Sequence, residues 1–166
     1  MRASNWRAAG TNPSFSTISA VGGASWVRWG PLEIGDVSDA TALDRVLQRY
    51  RPNCVMYFAA LAYVGESMSD PGPYYHVNVT GSLTLLDAMR RHGVNMLVFS
   101  STCAMYGISD VVPLTESHPQ RPIPPYGANK LMVEHVLTDY GSVQDTCKNR
   151  SQGHFEGKRH WIERPW

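Results

Sequence analysis

Residues Pro125–Lys130 read PYGANK, a tyrosine and a lysine four apart where a helical pattern begins. Residues i and i+4 share one helix face, which makes the Tyr126 phenol and the Lys130 ammonium neighbours. A phenol with an ordinary pKa of about 10 is a poor base near neutrality. A cation held beside it favours the phenolate and lowers that value, and Lys130 is expected to supply such a field. Upstream, FSSTC closes an apolar strand pattern with Ser100, Ser101 and Thr102. The Thr102 hydroxyl could hold the phenol, or a substrate hydroxyl, in line. The chemistry implied is proton removal from an alcohol. A YxxxK pair alone is common on surface helices; the hydroxyl-ended strand ahead of it makes this one specific.

Elements able to position these groups run from about Gly35 to Tyr140. DATALDRVLQRY places Leu43, Val46, Leu47 and Tyr50 on one helix face, with Ser38 or Asp39 as N-cap. NCVMYFAA and NMLVFSS are short apolar runs of the kind found in strands buried on both faces. YYHVNVTGSLTLLDAMRRHG predicts a helix with Val79, Leu83, Leu86 and Met89 inward. Arg90, Arg91 and His92 suit its C-terminal dipole, and Gly93 ends it. A third helix begins at PYGANK, with Met132, Val133, Val136, Leu137 and Tyr140 as its inward stripe. This alternation predicts an α/β fold, a doubly wound parallel sheet of the Rossmann-like kind but incomplete.

Ligands of such sheets bind beyond the carboxyl ends of the strands. Three segments carry small or polar residues there: Gly35–Val37, the FAALAYVGES stretch with Ala59 and Ala60, and SSTCAMYG.

With 166 residues, of which 43% are hydrophobic and 17% charged, the chain suits one globular domain rather than a disordered one. A net charge of +1 gives no electrostatic case for nucleic acid or an anionic membrane. The longest apolar run, Cys54–Val64, is too short to span a bilayer. Cys54, Cys103 and Cys147 lie far apart without a CxxC pair, which argues against a disulfide framework and a zinc site. A reducing, cytoplasmic compartment is the expectation. Residues 1–32 hold no acid and show no clean period, and are expected to form an irregular leader. Residues 142–166 are polar and are expected to form a disordered or irregular tail, in which His154 and His160 are solvated rather than metal-bound.

The segments GDVSD, YFAALAYVGES, YYHVNVTGSLTLLDAM, FSSTCAMYG and PYGANKLMVE follow one another in an order that resembles the extended short-chain dehydrogenase/reductases. Within these they are most similar to bacterial UDP-glucose 4-epimerases. The resemblance makes residues 33–141 a partial NAD-binding Rossmann domain, with NAD as cofactor and a UDP-hexose as substrate. It implies that Asp36 and Val37 meet the adenine, and that Phe58, Ala59, Ala60 and Leu61 line the pyrophosphate and ribose. It matches Asn78 to the family's asparagine, sets Thr102 and Tyr126 on the sugar hydroxyl, and sets Lys130 on the nicotinamide ribose. In that mechanism the phenolate takes the 4-hydroxyl proton while hydride passes from C4 to NAD and later returns to the other face. Related 4,6-dehydratases carry an Asp-Glu pair after the hydroxyl residue; here Cys103 and Ala104 stand there, which disfavours dehydration. Ala62 replaces a lysine common among epimerases.

The family's cofactor grip opens on a strand and a GxxGxxG turn, which lets a pyrophosphate meet a helix N-terminus. None of the 14 glycines here has that spacing. The resemblance therefore implies a chain truncated at both ends, without the first strand, the phosphate cradle and the nucleotide-sugar domain, and inactive alone. Its leader is expected to be either a transit peptide or text read out of frame. A bare sheet edge prone to aggregation is expected where the first strand would lie. Two further readings stay open. One is a non-catalytic partner, pairing as a homodimer or with a full-length relative through the helices from Pro73 and Tyr126. The other is a different NAD-dependent sugar-nucleotide epimerase or reductase.

Overall fold

The structure, a computed structural model, describes residues 5–9, 16–19, 31–109 and 113–148, with side chains over 31–109 and 113–141. Five strands form one sheet in the order β3-β2-β1-β4-β5, where β1 is Asn5–Ala9, β2 Ser16–Ser19, β3 Leu32–Glu33, β4 Cys54–Tyr57 and β5 Met96–Phe99. The pairs β4–β5 and β2–β3 are parallel, as expected of the fold. β1 runs antiparallel to both β2 and β4. The link of residues 10–15 is too short for a parallel crossover, so β1 and β2 can pair only as a hairpin.

Two strands thus lie inside the stretch expected to be irregular. The bare edge expected beside β4 is also corrected: Trp6 to Ala9 pair with Tyr57 to Cys54. That pairing gives the β4 backbone groups on this side the partners that an open edge would lack. Expectations for the rest of the leader and for residues 149–166, His154 and His160 included, fall outside the described residues.

Helix α1 (Ala40–Tyr50) starts where the Asp39 carboxylate accepts the Ala42 N–H at 3.0 Å, and it ends on Arg51 in the left-handed region at φ 42°. Its Leu43, Val46 and Leu47 are fully or almost fully buried against Val55 and Tyr57 of β4. A short helix α2 (Val64–Ser69) follows β4. Next, α3 (Gly72–Tyr74) runs through a π-helical turn (Tyr75–Thr80) into α4 (Gly81–Arg91). Gly93, at φ 68°, turns the chain out of α4 toward β5.

α4 buries Leu85, Leu86, Ala88 and Met89, but Val79 and Leu83 are only half-buried. Asn78 and Ser82 take the inward places instead. An apolar-only stripe misplaces that face, because polar groups go inside once they are hydrogen-bonded. Arg91 clamps α4 to α1 through both Asp44 oxygens, at 2.9 and 3.0 Å.

Helix α5 runs from Pro125 to Lys148, past the expected end at Gly141. Residues 142–148 contain no proline, and a single glycine costs a helix only about 1 kcal/mol. The inward start of α5 is Gly127, Asn129, Lys130 and Val133, while Met132 is 42% exposed and Val136, Leu137 and Tyr140 are half-buried. Among the described residues, no helix is long and apolar enough to cross a membrane.

Leu47 is the clearest probe of the α1–β4 core, being 0% exposed. Leu47→Ala should lose about 2–5 kcal/mol in urea unfolding. Ile34→Ala, at a site 73% exposed, should stay within about 0.5 kcal/mol.

Candidate active site

α5 reaches the carboxyl end of β5 through a close backbone contact. A Cβ added to Gly127 would stand 2.6 Å from the Ala104 carbonyl oxygen, so only glycine lets the helix settle on the 3-10 turn Cys103–Tyr106. Thr102 caps that turn, its hydroxyl oxygen accepting the Ala104 N–H at 3.2 Å. Its hydroxyl stands close enough to the Tyr126 phenol to act on that group's pKa. One turn along α5, the Lys130 Nζ donates to the Ser100 carbonyl at 2.9 Å and sits 4.6 Å from the centre of the Phe99 ring. The structure thus brings Thr102, Tyr126 and Lys130 together at one strand end.

The electrostatics differ from expectation. The Tyr126 pKa is raised, chiefly by burial; the Thr102 hydrogen bond lowers it and the Cys103 thiol raises it again. Lys130 is not among the groups that move it. The amine directs one donor to the Ser100 carbonyl and lies over the Phe99 face, and burial outweighs any lowering of the phenol in the chain alone. Burial instead acts on the lysine itself, bringing its pKa down to about 8.

The other expected residues form a strip near the end of β4. The Asp36 carboxylate is exposed, accepts the Ser38 N–H at 2.7 Å, and lies close enough to Tyr57 to raise that phenol. Val37 is 0% exposed and belongs to the core, so only its backbone remains for a ligand. Phe58 is 48% exposed and Ala60 half-buried, while Ala59 and Leu61 face inward. Asn78 spends both ends of its amide on the backbone of one residue: Oδ1 accepts the Leu61 N–H at 2.8 Å and Nδ2 donates to the Leu61 carbonyl at 3.0 Å. Its contribution is to shape the strip. The π-helical turn holds the Asn78 position, and such turns frequently occur at functional sites.

Sequence reasoning missed Tyr57, Ser82 and Ser67. The Ser82 hydroxyl bonds the Tyr57 phenol at 3.1 Å and the Asn78 carbonyl, and burial pushes the Tyr57 pKa up to about 12. Ser67 accepts the Tyr126 backbone N–H at 3.3 Å. Ser67 lies within α2, well past the end of β4, and only the segment YFAALAYVGES as a whole, following a strand, hinted at a role. Ser101 Oγ and both polar ends of the fully buried Asn129 side chain have no partner. A cavity of about 370 Å³, lined by Gln48, Arg51, Asn53 and His92, sits at the opposite strand ends, away from Tyr126.

The lowered lysine value sets a pH test. The unfolded chain holds its proton up to about 10.5, whereas the folded chain releases it near 8. The unfolded state therefore binds more protons between those values, and this group's share of stability rises with pH across the window. Side-chain NMR of Lys130 should show a midpoint near 8. A midpoint at the ordinary lysine value would contradict the buried placement.

A family profile described as GDP-mannose 4,6 dehydratase matches residues 28–151. A UDP-glucose 4-epimerase of Rhizobium leguminosarum bv. trifolii is 48% identical over 143 residues, covering 82% of this chain and 44% of that protein. UDP-arabinose 4-epimerase 1 of Arabidopsis thaliana is 44% identical over 110 residues, 66% of this chain and 26% of that protein. The crystal structure of UDP-glucose 4-epimerase from Brucella ovis in complex with NAD superposes with a TM-score of 0.71 at 46% identity. That match covers 73% of this chain and 37% of the other. The chain thus spans less than half the length of the curated relatives it matches. With the profile covering most of its length and nearly three quarters of the chain superposing on a solved epimerase, the chain belongs to the GDP-mannose 4,6 dehydratase family and has a Rossmann-type α/β fold.

Proposed function

We propose that this chain carries the proton-transfer side of a UDP-glucose 4-epimerase-type site, with Tyr126 as base, NAD as cofactor and a UDP-hexose as substrate. The observation that carries this reading is a Lys130 anchored to Ser100 one helical turn from a Tyr126 phenol that stands beside Thr102. Thr102 lowers the phenol's pKa and so favours its anionic form. Cys103 and Ala104 provide no carboxylate next to it, which favours epimerisation over loss of water. The relatives named above as UDP-glucose 4-epimerases, one of them with NAD bound, support the same choice.

The residues present fit NAD on the nicotinamide side. Lys130 is 3% exposed with only a backbone carbonyl and a ring as its described partners, leaving donors for ribose hydroxyls. The Phe58–Ala60 edge is open, with Asn78 holding Leu61 behind it, and Asp36 stands nearby. When bound, the cofactor would supply reversible hydride acceptance and a positive ring charge. That charge favours ionisation of a phenol which the protein alone holds neutral.

On the phosphate side, the absent GxxGxxG spacing removes several charge-assisted bonds of about 1.5–3 kcal/mol each. Titration of NAD into the purified chain should accordingly show affinity orders of magnitude below that of a complete cofactor grip, and UDP-galactose should not turn over. Tight stoichiometric binding, or turnover by the chain alone, would contradict the incomplete-site reading. Weak binding that survives Lys130→Met would contradict the role given to the lysine.

A second reading rests on Tyr75 and Met132, 39% and 42% exposed on the two helical segments nearest the site. It makes the chain a non-catalytic partner that pairs with a copy of itself or with a full-length relative. Co-purification with a full-length epimerase supports it, and a monomer that fails to co-purify rejects it.

A further inference from the structure

We propose that Ser67 is a positioning residue for Tyr126, capping the first turn of the tyrosine's helix from a different element. A helix leaves its first N–H groups without intrahelical acceptors, and a side-chain oxygen on the residue just before the helix usually serves one of them. That remedy is unavailable here. Pro124 precedes α5 and offers no side-chain acceptor, and Pro125 opens the helix without an N–H. Tyr126 therefore carries the first N–H in need of a partner, and it finds the Ser67 oxygen 59 residues away in sequence, at 3.3 Å.

The acceptor is held fast. Ser67 is 0% exposed, and its own proton goes to the Val64 carbonyl at 2.6 Å, which fixes the direction in which its oxygen presents lone pairs. Tyr74, 1% exposed, places its hydroxyl 2.8 Å from the Tyr63 carbonyl and 2.7 Å from a Glu66 carboxylate oxygen, pinning the turn that carries Ser67. Tyr63 lies two residues past Leu61, whose backbone N–H and carbonyl Asn78 clamps. The strip after β4 and the first turn of α5 are thus joined through the backbone of Leu61–Tyr63, the Ser67 N–H bonded to the Tyr63 carbonyl at 3.0 Å, and the Ser67 oxygen bonded to Tyr126. Displacement of the strip is transmitted to the backbone of Tyr126, and through it to the Thr102–phenol contact.

This assignment rests on the reading of Tyr126 as the base, but its test needs neither NAD nor substrate. A cap that served stability alone would behave like Asp39, which holds the Ala42 N–H at 3.0 Å at the start of α1. The comparison is therefore Ser67→Ala and Ser67→Cys against Asp39→Ala, each in the full chain. NMR would follow exchange of the Tyr126 amide and the nuclear Overhauser effect between the Tyr126 ring and the Thr102 methyl. Both Ser67 variants should speed Tyr126 amide exchange about fivefold, the factor expected for a lost cap, and should weaken the ring–methyl effect. Asp39→Ala should lower Tm while leaving both readouts unchanged.

Ser67→Cys keeps the side chain's bulk while weakening its acceptor, so a response from both variants excludes a simple cavity effect. The assignment is overturned if the Ser67 variants lower Tm but leave the ring–methyl effect intact, or if Asp39→Ala moves it equally. An unprotected Tyr126 amide in the unmodified chain would overturn it without any variant.

Discussion

A lysine ammonium closed to 3% exposure, with no salt bridge to a carboxylate among the described residues, is the constraint on which the rest of the site depends. Charge in such a place is costly unless hydrogen-bonded. The Ser100 carbonyl and the face of Phe99 are what make Lys130 tolerable there. Both partners lie at the carboxyl end of β5, so satisfying the lysine fixes where α5 meets the sheet. Gly127 permits the approach, and Thr102 receives the tyrosine that the approach delivers. The lysine thus sets the position of Tyr126.

The two shifts point to a site at rest. Burial raises the phenol and lowers the amine, which keeps the phenol neutral and loosens the lysine's hold on its proton. Near neutrality Tyr126 keeps its proton. Under the function proposed above, this is a base held in reserve until a further positive charge arrives. The hydroxyl of Thr102, already directed by the Ala104 N–H, is the one described contact that works in the phenolate's favour.

Much of the fold was legible because its signals are local. The α1 cap at Asp39, the apolar face of α1, the strand runs at Cys54–Tyr57 and Met96–Phe99, and the stop at Gly93 all follow from short-range propensity and period. Tyr126, Lys130 and Thr102 were legible as a trio because a helix pair and a strand end are both readable patterns. What escaped was long-range. Asn78 and Ser82 replace the expected inward Val79 and Leu83 because their partners, the Leu61 backbone and the Tyr57 phenol, come from another strand's end. Ser67 is bonded to a residue 59 positions away, which no periodicity reveals. The direction of the Tyr126 shift was misjudged for the same reason, since spacing places two residues on one face without saying where a flexible amine spends its donors. β1 escaped too, because its place is set by the β4 edge it pairs with rather than by its own pattern.

The most direct measurement is a titration of the Tyr126 phenol, followed by NMR of ring-labelled tyrosine in the chain without cofactor, beside the Thr102→Val variant. The account predicts a midpoint above the ordinary value of 10.0 in the unmodified chain, and one higher still once the threonine hydroxyl is gone. A midpoint below 10.0, unmoved by Thr102→Val and restored to the ordinary range by Lys130→Met, would show the lysine's field acting directly and would contradict it.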